Sequence, residues 1–216
     1  MKLYKRENYL KKIRGFYDAD DIIKVITGVR RCGKSSLMEM IASELRDNGV
    51  SEEKIIYLDL DKRGFKKVKT TDALEKCIDE RATADGIKYL FIDEIQNVKD
   101  FEELINGYRC EGGWSIFITG SNSYLLSGEL VTKLTGRYLE FEMFPLSFSE
   151  YEEMKKFYGK TINNNIQAEL ASYVLESGFP RTILIDDPVD KRKYVQGVIK
   201  EIFEKDIRKR VKIRKK

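Results

Sequence analysis

The sequence predicts an α/β fold built on a parallel sheet, and three observations carry that prediction. Residues 24–144 alternate short apolar runs with helical runs through short connections, the pattern that gives parallel strands with helices on both faces. The stretch Gly28-Val29-Arg30-Arg31-Cys32-Gly33-Lys34-Ser35 fits G-x-x-x-x-G-K-[ST], between a strand-like run, Lys24-Val25-Ile26-Thr27, and a helical run over 36–45. A further apolar run, 88–92, ends in Asp93-Glu94, two acids at the edge of the sheet where parallel strands finish.

Residues 3–17 place Leu3, Tyr4, Tyr9, Leu10, Ile13, Phe16 and Tyr17 among basic residues, the spacing of an amphipathic helix leading into the first strand. Residues 54–60 read as the second strand and 61–71 as a basic loop without a period. A helix is predicted over 72–83, with Asp or Thr caps ahead of it. The 88–92 run is apolar on both faces, as a central parallel strand must be. Residues 100–108 read as a helix with Asp100 at its N-cap, 114–119 as the fourth strand, 124–134 as a helix and 138–144 as the fifth strand. After Pro145 the alternation stops, and helices are predicted over 148–158, 165–176 and 188–212. The expected division is a core over 1–147 and a smaller helical part over 148–216 that packs on it.

Hydrophobic residues make up 42% and charged residues 35% of the 216-residue chain, which suits a globular protein with a heavily charged surface. A net charge of +4 neither demands nor excludes a nucleic-acid partner. The chain has no histidine, which removes His acid–base catalysis, His metal ligands and Ser-His-Asp triads. Cys32, Cys77 and Cys110 fit no zinc spacing, and an odd count is a poor disulfide framework, so reduced thiols are expected. The first residues lack the apolar run of a signal peptide, and no segment reaches the length of a membrane span. The cytoplasm is the expected location.

The chemistry follows from the two motifs. A glycine loop that opens a helix aims backbone N–H groups at an anion, and the helix dipole adds to the attraction. Gly28, Val29, Arg30, Arg31, Cys32 and Gly33, with Lys34, Ser35 and Ser36 at the helix start, are thus the candidate contacts to ATP phosphates. Lys34 would reach the β- and γ-phosphates and the Ser35 hydroxyl would hold Mg²⁺. Asp93 would hold the same ion, directly or through water, and Glu94 would polarise the attacking water. Taken alone, Asp93-Glu94 also reads as a solvated acidic turn; downstream of a phosphate loop it reads as the second half of the site. Tyr4, Tyr9 and Arg6, ahead of the first strand, are candidates for the base pocket.

These motifs, together with Leu90-Phe91-Ile92-Asp93-Glu94-Ile95-Gln96, Ile118-Thr119-Gly120-Ser121-Asn122-Ser123, Leu134-Thr135-Gly136-Arg137 and Pro145-Leu146-Ser147-Phe148-Ser149-Glu150-Tyr151, resemble a group of prokaryotic AAA+ ATPases. It is the "AAA domain" group usually followed by a C-terminal nuclease-like domain of unknown function, and no counterpart of that domain is expected within these 216 residues. The resemblance runs over most of 3–185. It implies a P-loop NTPase fold of AAA+ type, with sheet order 5-1-4-3-2 and a small α-helical lid. It also implies a polar sensor at the end of the fourth strand. Ser121 and Asn122 both fit, with Asn122 preferred, and a helix-capping role is the alternative. Arg137 falls where the group suggests an arginine aimed at nucleotide, in its own subunit or a neighbour's, and pairing with Glu140 or Glu142 is the alternative. Gly178-Phe179-Pro180-Arg181 resembles the lid motif, with Ser177 in place of its first glycine; Arg181 would be a second sensor.

The expected function is therefore hydrolysis of ATP to ADP and phosphate with Mg²⁺, with self-association through the arginine finger and no membrane partner. A nucleotide-gated binding module with little turnover is the competing expectation. A small-molecule kinase is disfavoured by Asp93-Glu94 on the third strand. The basic tail of Arg208, Lys209, Arg210, Lys212, Arg214, Lys215 and Lys216 has the charge to meet nucleic acid. Val211 and Ile213 interrupt it, so it reads as a solvated helix end.

Overall fold

The structure, a computed structural model, describes residues 3–120, 134 and 136–208. The chain divides into two compact units: Glu7–Thr27 with Lys34–Glu142, and the residues up to Arg6, Gly28–Gly33 and those from Met143 on.

The first unit holds the sheet. Its elements are α1 (Glu7–Ile13), β1 (Ile23–Gly28), α2 (Lys34–Asp47), β2 (Ile55–Asp59), α3 (Thr71–Asp79), β3 (Lys88–Asp93), α4 (Phe101–Glu111), β4 (Trp114–Thr119) and β5 (Tyr138–Met143). The strands lie in the order β2-β3-β4-β1-β5, the expected order. Pairing is parallel, with Ile92 beside Leu58 and Ile118, and Val25 beside Ile118. The centre is apolar on both faces, as parallel strands covered by helices require. One face carries an aromatic ladder in register: Tyr57 stacks on Phe91 at 5.7 Å between ring centres, and Phe91 on Phe117 at 4.7 Å. The opposite face packs Ile56, Leu58, Leu90, Ile92, Ile116 and Ile118 against α3 and α4 through Leu74, Ile78, Phe101 and Ile105.

Several local expectations change. Helix α3 is capped by Thr70, whose side chain accepts from the Ala73 N–H at 3.4 Å, and it stops at Asp79, short of the predicted end. Asp100 does precede α4, but in a left-handed conformation (φ 53°) with no side-chain cap bond. The predicted helix over 124–134 lies outside the described residues except for Leu134, which is in the core.

The second unit is helical: α5 (Phe148–Phe157), α6 (Ile166–Glu176) and α7 (Pro188–Ile202). Each start has a chemical cause. Ser147 and Glu150 form a reciprocal capping box, Asn165 accepts from two N–H groups of α6, and Asp187 caps α7 with Pro188 in its first turn. Leu146, Tyr151, Met154 and Ile183 form one apolar cluster, and Phe179, Val195 and Val198 another. Helix α7 does not run on as predicted; past Ile202 it loosens into a π-turn, Phe203–Ile207. Among the described residues no helix is long and apolar enough to cross a membrane.

Candidate nucleotide site

Strand β1 ends at Gly28, and α2 begins at Lys34, with the glycine loop between them. The chain passes from the helical unit to the sheet unit between Gly33 and Lys34.

Within the helical unit, the loop depends on glycine where it begins. Gly28 has φ +144°, and a Cβ there would stand 2.3 Å from the Met143 carbonyl oxygen and 2.9 Å from Cys32 Sγ. Gly33 also has positive φ, +110°. Cys32 is buried, and its carbonyl accepts from Arg6 Nη1 at 3.1 Å. Arg6 is a clamp and not a base-pocket residue. It is 4% exposed, bonds both oxygens of Glu150 at 3.0 and 2.8 Å, and donates to the carbonyls of Phe144 and Pro145. Burial alone would raise the Glu150 pKa, but the Arg6 guanidinium and the Ser147 cap outweigh it and hold the carboxyl below its usual range. The two loop arginines reach the end of the described chain. Arg30 Nε meets Asp206 at 3.1 Å and Arg31 Nη2 meets Glu201 at 3.2 Å, with the Arg31 guanidinium over the Tyr194 ring. Arg31 does so from a left-handed backbone, φ 63°. Arg181 is exposed on the 3₁₀ turn Pro180–Leu184.

Within the sheet unit, Lys34, Ser35, Asp93 and Glu94 come together where the strands finish. Lys34 is buried, while Ser35 is exposed and Ser36 half-buried. Asp93 is 2% exposed, and Thr119 Oγ1 on the neighbouring strand donates to its Oδ1. Burial pushes the Asp93 pKa up; hydrogen bonds from Ser35 and Thr119 and the Lys34 charge pull against it, and burial wins. Glu94 is likewise raised, first by burial, then by the nearby Asp93 charge against the opposing pull of Lys34. The same Thr119 oxygen accepts from the Glu94 N–H at 3.1 Å, and Gln96 Nε2 donates to Glu94 Oε2. Tyr57 adds a hydroxyl 3.4 Å from the Ser35 carbonyl.

Thr119, Gln96 and Tyr57 are the residues that sequence reasoning missed. Thr119 and Gln96 lie inside the motifs named above, but only strand register shows that Thr119 faces Asp93. Ser121 and Asn122 lie outside the described residues, as does the basic tail beyond Arg208. Arg137 is not brought to this cluster. It is exposed, and its carbonyl accepts from the N–H of Ile23, the first residue of β1. That is the opposite edge of the sheet, about 16 Å away at ~3.3 Å per strand residue.

Comparison with known proteins agrees with this fold. The profile of the family described as "AAA domain" matches residues 20–152. The chain belongs to the AAA domain family. It is 36% identical over 211 residues to an uncharacterized protein of Haemophilus influenzae, covering 97% of this chain and 52% of that one. It is 35% identical over 198 residues to uncharacterized protein MJ1544 of Methanocaldococcus jannaschii, covering 89% and 43%. The chain thus spans about half the length of these curated relatives. Among solved structures, the Walker-type ATPase PABY2304 of Pyrococcus abyssi superposes with a TM-score of 0.55 at 18% identity, over 94% of this chain and 72% of that one. Hsp104 of S. cerevisiae, in its casein complex, gives 0.52 at 14% identity, over 97% and 39%. At such identities the likeness concerns the fold: a parallel five-stranded sheet of AAA type with flanking helices.

Proposed function

We propose that this AAA domain binds ATP along Gly28–Ser35 and hydrolyses it to ADP and phosphate with Mg²⁺. The observation that carries the reading is the convergence of a buried lysine, a hydroxyl and two desolvated acids at one edge of the sheet: Lys34, Ser35, Asp93 and Glu94. The loop amides and Lys34 bind the phosphates. Ser35 and Asp93 offer hard oxygen donors, which suit Mg²⁺, and such an ion, when bound, neutralises charge on the phosphate oxygens. Glu94 accepts a proton from water as the water oxygen attacks the γ-phosphorus and the bond to the ADP oxygen breaks. Its desolvation makes it a stronger base than a surface carboxylate.

Asn122 is the assigned sensor and Arg181 the assigned second sensor. Arg137, at the far edge of its own sheet, is assigned to a neighbouring subunit's site, so turnover per protomer should rise with protein concentration. The test is phosphate release by the purified chain. Lys34→Ala should abolish nucleotide binding, and Glu94→Gln should bind ATP and keep only a small residual turnover. Equal rates for Glu94→Gln and the parent would remove Glu94 from the mechanism.

One observation favours the second reading, a nucleotide-gated binding module. The loop arginines are tied to two acids that precede the basic tail, Asp206 and Glu201, so phosphate in the loop competes with a structural contact. Tight ATP binding with no phosphate release at any protein concentration would select it.

A further inference from the structure

Glu94 is fixed at three points. Its N–H donates to Thr119 Oγ1, its carbonyl accepts from the Asn97 N–H at 3.0 Å, and its Oε2 accepts from Gln96 Nε2. The backbone that carries it is left-handed, with φ 59° and ψ 48°, which a glutamate holds only where its surroundings impose it. The 3₁₀ turn Ile95–Asn97 is what folds Gln96 back onto the side chain two residues earlier, and Asn97 Nδ2 ties that turn to Asp61 at 3.0 Å.

The other end of the Gln96 amide is the telling atom. Its Oε1 is buried and has no hydrogen-bond partner among the described residues. A buried acceptor left unmade costs stability, so this amide is a poor choice for holding a turn together. What it achieves is specific to Glu94. It takes one carboxylate oxygen, removes the rotational freedom of a long side chain and leaves the second oxygen to accept from another donor.

We propose that Gln96 is the positioning residue of Glu94, holding its carboxylate in the orientation that receives a proton from the attacking water. The proposal rests on the reading of Glu94 as the group that polarises that water. Gln96 contributes nothing to nucleotide affinity and acts on turnover only through Glu94.

The experiment is a double-mutant cycle on the full chain, with Gln96→Leu, Glu94→Gln and the pair. Turnover, ATP-analogue affinity and melting temperature are read for each. Gln96→Leu is expected to lower kcat by about 10- to 100-fold, the scale of a misplaced catalytic group. Affinity should stay within about twofold, and the melting temperature within about 3 °C, because one hydrogen bond removed is set against one relieved acceptor. In the Glu94→Gln background the same change should have no further effect on kcat, because residues acting as one unit are not additive. Full additivity, an unchanged kcat in Gln96→Leu, or a loss of affinity matching the loss of kcat would each overturn the proposal while leaving Glu94's role standing. An unaltered rate in Glu94→Gln alone would instead overturn the reading beneath it, and the proposal with it.

Discussion

Replacing Arg6 with methionine tests how the helical unit is held together. The guanidinium donates twice to Glu150 and also to the carbonyls of Cys32, Phe144 and Pro145. The ion pair is sheltered, with the two side chains 5% and 7% exposed. Methionine fills most of the volume but leaves the buried Glu150 carboxylate with the Ser147 N–H and without the Arg6 charge. Breaking a buried pair from one side costs about 3–5 kcal/mol. At ~2–4 °C per kcal/mol for a chain of this size, the melting temperature should fall by roughly 6–20 °C.

The pH dependence has a definite sign. Glu150 titrates below its usual value in the folded protein, so the stability it contributes is present above the unfolded carboxyl range, near 4.5, and is lost as pH falls through the depressed value. Without Arg6, burial is the largest influence left, and the Glu150 pKa should move up. The deficit of Arg6→Met relative to the parent should therefore shrink between pH 7.5 and pH 4.5. Adding Glu150→Gln should recover part of the loss at neutral pH, since a neutral amide tolerates burial better than an orphaned charge. Thermal unfolding at both pH values is the assay. A drop of less than about 1 kcal/mol at pH 7.5 would refute the reasoning, since that is the scale of an exposed pair.

Three further outcomes are expected. Gly28→Ala drives a Cβ to 2.3 Å from a backbone oxygen at φ +144°; overpacking and left-handed strain at ~1–3 and ~1–2 kcal/mol should lower the melting temperature and weaken ATP-analogue binding in a fluorescence titration. Lys24 is fully buried on β1, donating to the Ala19 carbonyl and Ser115 Oγ, and burial pushes its pKa down to about 7. The unfolded chain therefore binds the extra proton between about pH 7 and 10.5, stability rises with pH across that window by at most ~1.4 kcal/mol per unit, and Lys24→Met should flatten the slope in urea unfolding series. Arg137→Ala should leave ATP affinity unchanged and abolish the rise of phosphate release with protein concentration; an affinity loss at low concentration would argue for action within its own subunit.

Much of the sheet was legible because its causes are local. The 88–92 run is apolar on both faces, and a strand, a glycine loop and a helix in succession leave little choice of topology. The order of the strands came from the family resemblance, since periodicity does not say which strands are neighbours. The places of Lys34 at a helix start and Asp93 at a strand end were readable from motif spacing. The contacts that tune them were not, because Thr119 reaches Asp93 only through the β3–β4 register and Gln96 reaches Glu94 only through a left-handed turn. Long-range partners left no sequence signal at all: nothing near Arg6 announces Glu150, and nothing in Lys24-Val25-Ile26-Thr27 says that the lysine is as buried as the valine beside it. Asp100 shows the reverse failure, a good capping residue at the right position whose left-handed backbone goes with no side-chain cap bond.

The tie between Arg30 and Arg31 and the far end of the chain turns phosphate binding into an exchange of anions. Whatever a phosphate gains by drawing either guanidinium toward itself is reduced by the ion pair broken at Asp206 or Glu201. With each such pair at about 1 kcal/mol or less, the two together set a handicap of up to roughly 30-fold on loop occupancy. Thermodynamic linkage makes that handicap symmetric. Any influence that draws residues 201–206 away from the loop strengthens phosphate binding by the same factor by which phosphate loosens that segment.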